Sequence, residues 1–91
     1  MTKDTVVKVL YVKFGGHVSL DGIKKAVDIG LAKGFSLGAV EMGLSLAFAL
    51  EFGIKELLTM KKASEVLGCA EDKVMECAEA YRGHLVAEGI L

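Results

Sequence analysis

Four times along this chain a glycine is followed at once by an apolar residue: Gly34-Phe35, Gly53-Ile54, Gly68-Cys69 and Gly89-Ile90. Glycine enters the left-handed backbone region at little cost, and a helix that stops there turns the next side chain back onto its own last turn. Each pair therefore reads as a helix stop. No proline interrupts the segments between them. The expected fold is all-α, one domain over residues 1–91 with helices at about 4–14, 20–33, 37–52, 55–67 and 71–88. The fourth can break at Thr59. The first segment is the least constrained, because Val6-Val7-Lys8-Val9-Leu10-Tyr11-Val12 is β-branched enough to serve as a strand. Gly15-Gly16 ends it either way. Ser19 or Asp21 is placed to cap the second helix and Ser36 the third.

The segment 37–52 is apolar almost all round, with Glu41 and Ser45 as its main polar stripe, so it is expected to be the central helix. Ala39, Gly43 and Ala47 form a ridge of small residues at spacing four, which lets another backbone come close. A glycine in mid-helix costs about 1 kcal/mol against alanine, and close packing is its natural compensation. The expected neighbour is the first helix, or the same helix of a second chain, which makes Ala39, Gly43 and Ala47 candidate protein-contact residues. Leu37, Val40, Leu44 and Phe48 supply the bulky side of the core.

Hydrophobic residues make up 53% of the chain and the mean hydropathy is +0.47, high for a small protein that must still cover itself with polar groups. Some apolar surface is expected to meet another chain, as a partner or as a homodimer. A net charge of −1 and a pI near 6.1 supply no overall field for nucleic acid or acidic membranes. Residues 35–54 are the most apolar stretch, yet Glu41 and Glu51 interrupt it at positions costly in a bilayer. It reads as a buried helix, with no membrane partner. The N-terminal run MTKDTVVKVL shows no signal-peptide pattern.

Residues 60–79, MKKASEVLGCAEDKVMECAE, carry a second pattern. Ala63 and Leu67 share a helical face, Gly68 closes that helix, and Cys69, Val74 and Cys77 are placed to fold back on it. Ser64 is small enough for a second helix to pass close by. Thr59 is placed as an N-cap, with Leu58 positioned to staple against Ala63. This stretch resembles the helix-turn-helix of phage repressors, excisionases and winged-helix regulators, over about 20 of the 91 residues. The resemblance implies a C-terminal helix-turn-helix-like hairpin and a DNA-binding regulator, with Lys61, Lys62 and Lys73, and further off Lys24 and Lys25, as candidate phosphate contacts.

Charge argues the other way. Glu71, Asp72, Glu76 and Glu79 stand where a recognition helix would meet DNA, with Lys73 alone among them. Phosphate contact draws its affinity from Lys and Arg. A carboxylate about 8 Å from a phosphate costs roughly 0.5 kcal/mol even in water-like dielectric. Four of them offset several good contacts. The expected function is accordingly a non-catalytic protein-binding module, an adaptor, subunit or inhibitor of a basic channel, which presents Glu71, Asp72, Glu76 and Glu79. The alternative is a small dimeric helix-turn-helix regulator.

Little points to chemistry. Two cysteines at core-facing positions suggest reduced thiols in a cytoplasmic protein. His84, seven residues after Cys77, is the only added ligand in reach, too few for zinc. Gly15-Gly16 lacks the spacing and the lysine of a phosphate loop. No catalytic residue, metal, cofactor or small-molecule substrate is evident.

Overall fold

The four stop glycines all take left-handed backbone, with φ of +90° at Gly34, +67° at Gly53, +71° at Gly68 and +78° at Gly89. These values come from a computed structural model that describes residues 1–55 and 60–91. After three of the glycines the next amide reaches back five residues: Phe35 to Gly30, Ile54 to Ala49 and Ile90 to Leu85, at 3.3, 3.0 and 3.0 Å. Ile54 and Ile90 then pack on the main core and Cys69 on a smaller one. Phe35 departs from this pattern and stays 48% exposed.

Between these stops lie α1 (Lys3–Phe14), α2 (Leu20–Ala32), α3 (Leu37–Phe52), α4 (Met60–Leu67), a 3-10 turn (Glu71–Lys73) and α5 (Val74–Ala87). The chain is all-α. Thr2, Ser19 and Ser36 each accept the first-turn amide of the helix they precede, from Thr5, Gly22 and Ala39. The β-branched first segment is a helix because its apolar residues fit that period. Val6, Val7, Leu10 and Phe14 are buried, while Lys8 and Val12, which a strand would turn to the same side as Val6 and Leu10, are exposed.

Two boundaries differ from expectation. Lys55 is not helical, since Ile54 is turned back onto α3 before any new helix can begin. The proposed cap Thr59 and staple Leu58 lie outside the described residues. The fifth helix does not start as an α-helix at residue 71, because residues 71–73 form the tighter 3-10 turn first.

α3 is the centre. It packs on α1, α2, α4 and α5 and buries nine residues, including Ser45, which belongs to the interior rather than to a polar stripe. The main core joins Val6, Leu10 and Phe14 of α1 to Ile23 and Val27 of α2, Val40, Leu44 and Phe48 of α3, and Leu85 of α5. Phe14 meets Phe48 edge to face, with ring centroids 5.2 Å apart. The radius of gyration is 11.8 Å, close to the roughly 12 Å expected of one domain of this length. Among the described residues, no helix is long and apolar enough to cross a membrane.

The α4–α5 contact corrects one member of the expected buried set. Ala63 and Val74 are fully buried, and Leu67 and Cys69 half-buried, but Cys77 is exposed. Ala78 takes its place beside Leu46, Ala63 and Val74. The inner face of α5 runs Val74, Ala78, Tyr81, Leu85, in steps of four, three and four, and leaves Cys77 to one side.

Candidate functional site

What sets the roll of α5 is Tyr81. Its ring lies against Gly43 of α3, where a Cβ would stand 3.0 Å from Cδ2 and Cε2, and its hydroxyl lies against Gly30 of α2. Oη donates to the carbonyl of Ala26 at 3.4 Å. The two glycines thus form a slot for one aromatic side chain. This explains the small-residue ridge and corrects its expected partner. Ala39, Gly43 and Ala47 are buried within the chain, and the element that uses the space at Gly43 is α5, neither α1 nor a second copy. They are packing residues and not an open contact surface.

Burial pushes the Tyr81 phenol up to about 12 from its ordinary 10.0. The folded value lies above the unfolded one, so the contribution of the neutral phenol is complete below about pH 10 and is lost as pH rises toward about 12. With the phenol partly exposed, the loss is on the order of 1–2 kcal/mol. Urea midpoints measured across this window should fall more for the wild type than for Tyr81→Phe. Equal slopes would contradict a buried phenol.

One flank of α5 borders a cavity of about 330 Å³, lined by Lys33, Phe35, Cys77, Ala80, Tyr81 and His84. A smaller one of about 90 Å³ adjoins it through Phe35, Cys77 and Tyr81 and reaches inward to Ala39, Gly43 and Leu67. The Cys77 thiol is no activated nucleophile. Its hydrogen bond with the Cys69 thiol raises its pKa, and partial burial and the nearby Glu76 add to the rise. His84 stands 3.9 Å from Glu88 on its own helix. No group of three His, Cys, Asp or Glu side chains converges to hold a metal among the described residues.

The opposite flank and the turn before it carry the carboxylates. Glu71, Asp72, Glu76 and Glu79 are all exposed. Met75 stands among them, 43% exposed, and Val86 lies two turns beyond Glu79 along α5, 47% exposed. The two cations of this stretch are engaged. Lys73 pairs with Glu76 at 3.5 Å, and Arg82 spans Glu79 at 3.0 Å and Glu51, near the end of α3, at 2.9 Å. The candidate phosphate contacts Lys61 and Lys62 are exposed at the start of α4, and Lys24 and Lys25 are exposed on α2.

The exposure of Cys77 and the cavity beside it are hidden from the sequence for one reason: both depend on the roll of α5, which residues far apart in sequence decide. Phe35 was the available signal, as a large apolar residue after a stop glycine and before a helix cap. Compared with protein-family models, with curated proteins and with solved structures, the chain finds no match.

Proposed function

We propose that this chain is a non-catalytic, protein-binding module whose contact surface is the outer face of α5 and the turn before it. The observation that carries this reading is the mixture on that face: four carboxylates with exposed Met75 among them and exposed Val86 further along the helix, and both nearby cations already paired. An ordinary solvated stripe has no need of the two apolar side chains. A phosphate-binding face would need cations free to release counterions. A basic protein surface with a shallow apolar patch meets both features, the charges steering and orienting it and the apolar pair supplying desolvated contact.

The alternative, a DNA-binding regulator using Lys61, Lys62 and Lys73, is separated by one experiment. The immobilised chain and its variant E71Q/D72N/E76Q/E79Q are compared for capture of protein partners and of duplex DNA at about 50 mM salt. The expected result is a protein partner held about ten- to a hundredfold more weakly by the neutralised variant, with no retention of duplex. Duplex retention that the neutralised variant strengthens would contradict the reading and favour the regulator.

A further inference from the structure

We propose that the cavity between the α2–α3 turn and α5 is a binding site for a small organic monoanion, a carboxylate carried on a flat apolar body. It lies on the other flank of α5 from the carboxylate face and shares with the reading above only the roll of that helix.

Three observations carry it. The first is size: about 330 Å³, continued inward by about 90 Å³, falls within the range of roughly 300–1,000 Å³ typical of small-ligand sites. The second is the lining. Phe35 and Tyr81 give aromatic surface and Ala80 a small apolar side chain, so a flat ring has apolar wall to lie against. Phe35 is also the residue that does not fold back onto its own helix after a stop glycine, and it remains 48% exposed at this cavity. The third is charge. In a chain of net charge −1, the cavity is lined by Lys33 and His84 and by no carboxylate among the described residues.

Lys33 has no ion-pair partner among the described residues, so its ammonium is available to an anion. His84 lines the same cavity and can add a ring N–H donor; its Nε2 stands 3.9 Å from Glu88 Oε1. One permanent cation suits a single negative charge. A phosphate dianion would call for more. The raised pKa of Cys77 keeps its thiol neutral, so it adds no negative charge to the wall.

The test is a ¹H–¹⁵N titration of the whole chain with 2-naphthoate and, in parallel, with its neutral counterpart 2-naphthamide. Saturable shifts are expected at residues 33–35 and 77–84, with the carboxylate bound more tightly than the amide. Lys33→Met, an exposed position, should weaken naphthoate about tenfold. Ala80→Trp should abolish the shifts by filling the space, and unchanged α1 resonances would show that each variant is folded. The proposal is overturned by the absence of saturable shifts up to about 10 mM, by shifts centred elsewhere, by equal binding of the amide, or by Lys33→Met binding naphthoate as the wild type does.

Discussion

Gly43→Leu should cost about 3 kcal/mol or more of stability, read as a fall in the urea midpoint, because there is no room at that position for a side chain. A Cβ alone would stand 3.0 Å from two ring carbons of Tyr81 and 3.7 Å from Leu67 Cδ2. The three further carbons of leucine can be housed only by lifting α5 away from α3. Gly30→Ala tests the other wall of the slot. Helix propensity favours alanine here by about 1 kcal/mol. Against this, its Cβ would overlap Tyr81 Oη and lie 2.7 Å from Val40 Cγ2. Packing should win, with a net loss of about 1–2 kcal/mol. Removing the hydroxyl with Tyr81→Phe should relieve much of the overlap, so the double variant should be more stable than the sum of the singles by about 1 kcal/mol. Wild-type stability in Gly43→Leu would mean that the slot does not hold Tyr81.

The slot also marks where sequence reasoning reached its limit. Local features were legible because their physics is local. The left-handed stops at Gly34, Gly53, Gly68 and Gly89, the caps at Ser19 and Ser36, the central place of residues 37–52 and the exposure of Glu71, Asp72, Glu76 and Glu79 all follow from a few neighbouring residues. The ridge Ala39-Gly43-Ala47 was visible too, but its occupant was not. Tyr81 is far from Gly30 and Gly43 in sequence, and nothing in either segment names the other. The roll of α5 was illegible for the same reason. Cys77 and Ala78 are adjacent and both small enough for a close contact, and the choice between them depends on where Tyr81 docks and on the 3-10 turn at residues 71–73. The cavity assembles residues 33 and 35 with 77–84, so no contiguous motif announces it.

Both proposed surfaces rest on that roll, since it turns Cys77 and His84 toward the cavity and leaves the carboxylates outward. Glutamate substitutions at the two adjacent positions separate the possibilities with a large difference in effect. Ala78 is 1% exposed, beside Leu46, Ala63 and Val74. A carboxylate there would be buried without a cation, a cost of about 3–5 kcal/mol. That is a large share of the roughly 5–10 kcal/mol that hold a domain of this size. Cys77 faces the open cavity and is exposed, so Cys77→Glu should cost no more than about 0.5–1 kcal/mol.

The decisive measurement is a pair of thermal melts. Ala78→Glu should lower Tm by about 15 °C or abolish the transition, and Cys77→Glu should shift it by less than about 5 °C. The opposite order, with Cys77→Glu unfolding the chain and Ala78→Glu tolerated, would put the thiol in the interior, turn α5 by one residue, and contradict both surfaces together.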